Sequence, residues 1–323
     1  MISQKYPLIA AAVAATLAAG IANAAVPSLG AAAAPVASLV IAGSSAAESS
    51  VQAAVGANIC GGAANMLTMK SAGGSGNFFS FSCTPSPAIS GVPAGVVTIY
   101  YRTEGGSVVG ALPVVSEAKI KRLNLSDASC TASGTSGTCS ITGLTATAGT
   151  QDSWGGAAVA DFVQLGVTDV EPGQLGNPGD FPSAYNPAVF GTATAKQLAA
   201  LPTSRIFQQV FGIVVNTTGG AFAAGGVNLS KESVQNILLR NYTDWHNVPN
   251  ASTGQPVTST SQAITPIDRE QGSGTRTATN IFFLNYGCGG TTAIDSTGET
   301  LNFSTTDELN AAESTPEIGR AHV

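Results

Sequence analysis

The sequence predicts an α/β protein of mixed, mainly parallel sheets flanked by helices, and three observations carry that prediction. Short apolar runs of strand length alternate with segments of helical hydrophobic spacing. Several runs end in turns rich in glycine and serine that lead straight into a helix start. Hydrophobic residues make up 44% of the 323, so a full core can be built, with length enough for two ordinary domains or two lobes.

The first 24 residues read as a secretory signal peptide. Lys5 supplies the positive start, Leu8 to Ile21 the apolar segment, and Ala22-Asn23-Ala24 the small-residue cleavage site. The run is mostly alanine and is bracketed by Pro7 and Pro27, so no stable membrane insertion is expected. No cysteine stands near the cleavage site to carry a lipid. The mature chain is therefore expected in a periplasm or outside the cell. Only 10% of residues are charged and Gly, Ala, Ser and Thr dominate, which suits an exported bacterial protein.

Residues 25–37 read as an Ala/Pro linker. Ser38-Leu39-Val40-Ile41-Ala42 is a short apolar strand ending in Gly43-Ser44-Ser45. Ala46 to Ile59 follows with Val51, Ala54, Val55 and Ile59 at helical spacing, and Glu48 stands favourably in the first turn. Cys60 to Val92 reads as loop-rich. Val96 to Tyr101 is a clear strand delivering Arg102-Thr103-Glu104-Gly105-Gly106-Ser107, and Val108 to Val115 begins as a short helix. Cys130 to Cys139 reads as a surface insertion. Phe162 to Val167 is a third strand, running into Thr168-Asp169, followed by a Gly/Pro/Asn loop and a short helix over Ala193 to Leu201.

Val210 to Asn216 is expected to be a buried strand. Ser230 caps a helix with Glu232 in its first turn and Val234, Ile237 and Leu238 turned inward. After a Ser/Thr/Gly/Pro linker, a strand-like run Ala263-Ile264-Thr265-Pro266-Ile267 leads to Asp268-Arg269-Glu270-Gln271-Gly272-Ser273-Gly274-Thr275-Arg276. Thr277 to Leu284 then reads as a helix with Ile281 and Leu284 on one face.

Of the five cysteines, Cys130 and Cys139 flank a Ser/Gly/Thr loop and could close it as a local disulfide. Cys60 and Cys83 could form a second bridge, leaving Cys288 over. With neither CxxC spacing nor a His/Cys cluster, no metal is expected, and no cofactor is assigned. Net charge is −6 and the pI about 4.8, so no nucleic-acid partner is expected. An acidic protein binds an anion only through a local, desolvated cluster.

The stretch at 268–276 fits such a cluster. Strand, glycine turn, hydroxyl residues and helix place free backbone N–H groups and two hydroxyls at a helix N-terminus. Arg269 adds a fork of donors matched to a tetrahedral oxyanion. No Lys follows the second glycine, so it is not a P-loop, and the third glycine of a dinucleotide fingerprint is absent. Taken alone the stretch is equally a capped strand-to-helix turn. Four strand ends, however, deliver small polar or charged groups: Ser44 and Ser45; Gly106 and Ser107; Asp169; and Arg269 with Ser273, Gly274 and Thr275. In open α/β sheets ligands bind beyond the carboxyl ends of strands. Four ends of one kind point to a composed anion site. The alternative for Asp169 is a surface or helix-capping residue before Pro172.

Arg269-x-x-Gly-Ser-Gly-Thr275, the Leu229-Ser230…Ile237-Leu238…Thr243-Asp244-Trp245 segment and Gly212-Ile213-Val214-Val215-Asn216 resemble the phosphate-binding proteins of high-affinity phosphate ABC transporters. These are type II periplasmic binding proteins. The resemblance spans about 38–310 and is strongest from Phe207 onward. It implies a two-lobed fold with the ligand cleft between the lobes: 38–205 in the first lobe, whose returning C-terminal part is missing, and 206–317 in an incomplete second. It also implies that Arg269 grips inorganic phosphate as a charged fork. Ser273, Gly274 and Thr275 would give hydroxyl and backbone donors, as would Ser44 or Ser45 and Ser107. Asp169 would accept the proton of the phosphate dianion. A carboxylate beside a dianion repels it unless a proton lies between them, and sulfate has none to offer near neutral pH.

The chain departs from the family in two places. Gln271 stands where the family often has Asp, so the group that orients Arg269 is left open between Glu270, Glu104 and none. The chain also stops at Val323, and Ile318-Gly319-Arg320-Ala321-His322-Val323 can be encoded by one frame of a widely used sequencing adapter. The expectation is a truncated frame with an adapter-derived tail at 318–323, the partner of Cys288 lying in the lost part.

No enzyme is expected. His246 reads as a solvated residue in an Asp-Trp-His-Asn turn, and no serine elbow, paired-Glu arrangement or metal signature stands beside the glycine cradle. The function implied is a monomeric receptor that captures phosphate and hands it to an ABC transporter permease. The alternatives are an exported structural or adhesive protein that keeps the fold for surface interaction, and a receptor for another tetrahedral oxyanion such as sulfate or molybdate.

Overall fold

The computed structural model describes residues 25–72, 77–142, 155–176, 190–208, 210–218, 221–222, 226–269, 271–288, 292–294, 301–302 and 318–322. The expected signal peptide at 1–24 lies outside them, as does Glu270.

The largest unit is an eight-stranded sheet. At its centre β1 (Ala37–Gly43) runs parallel to both β4 (Val97–Arg102) and β10 (Leu165–Val167). From β4 the sheet continues through β3 (Phe78–Cys83) to β2 (Leu67–Ala72), each pairing antiparallel. Beyond β2 lies β7 (Ser136–Thr142), parallel to it, with β6 (Thr131–Ser133) and β8 (Gly155–Gly156) antiparallel on β7.

The protein is thus mixed α/β, but parallel pairing does not dominate as expected. The reason lies in the stretch read as loop-rich, Cys60 to Val92, which supplies β2 and β3. In β2, Leu67 and Met69 alternate with Thr68 and Lys70, and all six residues of β3 are buried. The surface insertion read at Cys130 to Cys139 is the β6–β7 hairpin, which joins the same sheet.

Alternation along the central strands sets the two cores. Val40 and Ala42 face one side with Phe78 and Tyr100, covered by Val108, Val109 and Leu112 of α3 (Gly106–Ser116). Ile41, Phe81, Ile99 and Tyr101 face the other, covered by Val51 and Val55 of α2 (Glu48–Asn58). Each Val, Leu, Ile or Phe among them contributes about 1.5–3 kcal/mol on leaving water. The short α1 (Leu29–Ala33), in the segment read as linker, packs Ala32 into the first of these cores.

The strand expected at Phe162 to Val167 is two strands. β5 (Lys119–Leu123) pairs with β9 (Ala158–Phe162), and the chain then changes partner at Gln164 before β10. Gln164 stitches the junction: its N–H donates to Val40 O at 3.0 Å and its side-chain oxygen accepts from Val40 N at 2.6 Å.

Later residues build separate clusters. α4 (Ala195–Ala199) still belongs to the first core through Leu198. From Ile213 on, side chains gather around Trp245, Ile237 and Val257, and around Leu238, Leu284 and Ile294. β11 (Phe211–Val215) is half-buried rather than buried, and 318–322 lies antiparallel beside it as β14. α5 (Lys231–Leu238) starts at Ser230, whose hydroxyl accepts from Ser233 N at 3.1 Å, and it buries Val234, Ile237 and Leu238 as read. The strand expected at 263–267 is only two residues long and later: β12 (Asp268–Arg269), parallel to β13 (Leu301–Asn302). α6 (Gly274–Leu284) follows at once, with Leu284 buried and Ile281 half-buried.

Disulfides join Cys60 to Cys83 and Cys130 to Cys139, while Cys288 is an exposed free thiol. Such bridges persist in oxidising compartments. Among the described residues, no helix is long and apolar enough to cross a membrane.

Candidate functional site

All eight residues singled out from the sequence meet at one place, where β1, β4, β10 and β12 end and α2, α3 and α6 begin.

At the end of β1, Ser44 donates its hydroxyl to Asp169 Oδ1 and accepts from Ala47 N at 3.2 Å, so one side chain both caps the turn into α2 and reaches across to the next strand end. The Tyr101 hydroxyl donates to Ser44 O, anchoring the turn from below. Ser45, half-buried, accepts from Arg269 Nη2 at 3.1 Å.

At the end of β4 the chain takes two left-handed steps, Gly105 (φ 87°) and Gly106 (φ 66°), and enters α3. Ser107 is fully buried; its Oγ accepts from Asp169 N at 3.2 Å and lies 3.5 Å from Asp169 Oδ2. The α3 start is pressed against the α6 start, because Val108 N donates to Gly272 O at 3.0 Å.

On the α6 side, Ser273 is the N-cap and its hydroxyl accepts from Arg276 N at 3.4 Å. Thr275 Oγ1 lies 3.4 Å from Asp169 Oδ2. Gly274 permits this approach: a Cβ there would collide with Ser107 Oγ and sit 2.8 Å from Asp169 Cβ and Oδ2. The sequence pattern Gly-Ser-Gly-Thr thus reflects contact between two helix starts as well as a turn.

Asp169 is the focus. Hydroxyls from three chain segments, Ser44, Ser107 and Thr275, address its carboxylate. The residue as a whole is half-buried, but the enclosure of its carboxyl group pushes its pKa above the ordinary 3.8, opposed by the Ser44 hydrogen bond, the Arg269 charge and the Thr275 and Ser107 hydroxyls. It is neither a surface residue nor a helix cap.

Two buried ion pairs flank the cluster, and the sequence assigned neither. Arg102, under the β4 glycine turn, donates to Glu104 Oε2 from Nε at 3.0 Å and Nη2 at 2.5 Å, with its guanidinium 5.2 Å from the Phe78 ring centre. Glu104, left open as a partner for Arg269, is therefore tied to Arg102. Under the second turn, Arg276 Nη1 pairs with Asp268 Oδ2. Opposite charges eight residues apart in a chain with only 10% charged residues were the signal that could have revealed this pair.

His246 is exposed, its Nδ1 2.9 Å from Thr258 O, away from the cluster of strand ends. Among the described residues no group of three or more His, Cys, Asp or Glu is placed to hold a metal. Two clefts lie elsewhere: one between β11 and α6 around Val227 and Phe282, the other between α2 and β2 around Glu48 and Lys70. Chemically, the cluster offers one guanidinium, several hydroxyls, a helix N-terminus and one carboxyl group that can hold or accept a proton.

Compared with protein-family models, curated proteins and solved structures, the chain matches none of them.

Proposed function

We propose that the protein is a receptor for inorganic phosphate, taken up between two lobes, with Arg269 as the charged fork and Asp169 as the proton acceptor. One observation carries this: hydroxyls from separate strand ends converge on a single enclosed carboxyl group, with the buried Arg269 held beside them through Ser45. An arginine and a helix N-terminus attract an oxyanion, and the carboxylate selects one that brings a proton. In the same proposal the chain is a monomeric binding protein, not an enzyme, exported to an oxidising compartment, and it delivers phosphate to an ABC transporter permease. Sulfate and molybdate are disfavoured because neither supplies the proton near neutral pH.

A second reading has its own support. The hydroxyls of Ser44, Ser107 and Thr275 are already directed at Asp169, so the cluster also works as an internal tie between segments. That suits an exported structural or adhesive protein that keeps the fold for surface interaction.

Calorimetric titration of phosphate and then sulfate into the folded protein separates the two. Heat with phosphate alone, lost in Arg269→Ala, supports the receptor. No heat with either anion from a sample shown to be folded moves the assignment to the interaction protein.

A further inference from the structure

We infer that the buried Asp268–Arg276 ion pair is the positioning device of the anion site, holding Arg269 in place from its backbone; this rests on the phosphate-receptor proposal. Asp268 Oδ1 accepts from the N–H of Arg269 at 2.7 Å, while its other oxygen pairs with Arg276 Nη1. The same Nη1 donates to Arg269 O at 3.0 Å. One ion pair therefore grips both backbone polar groups of the arginine proposed to hold the ligand.

Its location gives it reach. Asp268 belongs to β12 and Arg276 to the first turn of α6, so the pair spans the glycine turn between them. It fixes the Arg269 side chain on one side of that turn relative to Ser273, Gly274 and Thr275 on the other. Donors that are already ordered lose less freedom when an anion arrives.

The chemistry explains why both charges are needed. Asp268, Arg269 and Arg276 are 1%, 1% and 3% exposed, so none can be left to water. A cation in the first turn of a helix is opposed by the helix dipole, and Asp268 is the charge that makes Arg276 tenable there. Gln271, within the turn, carries no charge, and the carboxylate that pairs with Arg276 comes from Asp268 on the strand side of the turn.

The test uses Asp268→Asn, which keeps shape and removes charge, and Arg276→Lys, which keeps charge and removes the planar fork. Phosphate titration and thermal unfolding are measured on the full chain for wild type, both variants, Arg269→Lys, and Asp268→Asn combined with Arg269→Lys. Each positioning variant is expected to weaken phosphate by about tenfold or more, the scale of one charge-assisted hydrogen bond. The double variant should be much weaker than wild type but little weaker than Arg269→Lys, because the two changes act on one group. A purely structural pair would lower the melting temperature, leave phosphate affinity of the folded variants unchanged, and give additive effects; that result overturns the inference while the receptor stands. Failure of folded wild type to bind phosphate overturns the receptor proposal itself. If Asp268→Asn does not fold, Arg276→Lys carries the same decision.

Discussion

The Arg269 guanidinium donates through Nη2 to the Ser45 hydroxyl at 3.1 Å, joining groups 224 residues apart in the chain. Arg269 is buried, and its hydrogen bond to Ser45 sets one direction of its fork. Arg269→Ala is expected to abolish phosphate binding. Arg269→Lys keeps the charge without the fork and is expected to weaken it by about 10- to 100-fold, the range for losing a charge-assisted hydrogen bond. Calorimetry on folded variants checks both.

Asp169 gives a pH signature. Its folded-state pKa is raised above 3.8, chiefly by burial, so the neutral carboxyl is the form that the fold favours. The stability it contributes is fully present below 3.8 and is lost as pH rises through the folded value. Asp127, Asp244 and Glu232 are shifted down by hydrogen bonds and act in the opposite sense, so the comparison must be between variants. In anion-free protein, Asp169→Asn should raise melting temperature relative to wild type at neutral pH, with the gap closing as pH falls toward 3.8. The same variant should weaken phosphate, because the amide cannot take its proton. Melting scans at several pH values and one titration read both effects.

Gly274→Ala tests the contact between helix starts. A Cβ there meets Ser107 Oγ and the Asp169 side chain, so overpacking should cost about 1–3 kcal/mol and part the two helices. Gly30→Ala, with no atom near its new methyl, is the control and should be neutral or mildly stabilising. Denaturant unfolding of the two variants gives the difference.

The Cys60–Cys83 bridge closes a separation of 23 residues between the end of α2 and the end of β3, with both cysteines inside the core. Replacing both by alanine should cost about 3 kcal/mol on the loop-entropy scale. Removing Cys130–Cys139, separation 9, should cost less. Unfolding curves of the two double variants rank them.

Local patterns were legible where they rest on neighbours in sequence. The helix at Lys231–Leu238 follows from its Ser230 cap and inward Val234, Ile237 and Leu238. The central strands β1 and β4 follow from uninterrupted apolar runs. What misled was pairing. The Phe/Ser alternation of β3 sits in a loop-rich stretch and becomes a strand only through β4 and β2, which flank it in space. The run at Phe162 to Val167 reads continuously, yet a partner change at Gln164, invisible to hydropathy, cuts it in two.

For the site, the sequence by itself determined which residue types stand at the strand ends: serines after β1 and in the α3 start, an aspartate after β10, an arginine at the end of β12 and a Gly-Ser-Gly-Thr run that opens α6. Those choices are local, since turn geometry and helix capping select them over a few residues. Only the tertiary structure decided that they meet. Hydrogen bonds across 125, 62 and 106 residues bring Ser44, Ser107 and Thr275 onto Asp169, and the Asp268–Arg276 pair locks the arginine from behind. The physical reason is burial: two carboxyl groups and two guanidinium groups withdrawn from water must find partners wherever the fold brings them, and sequence distance places no limit on that search.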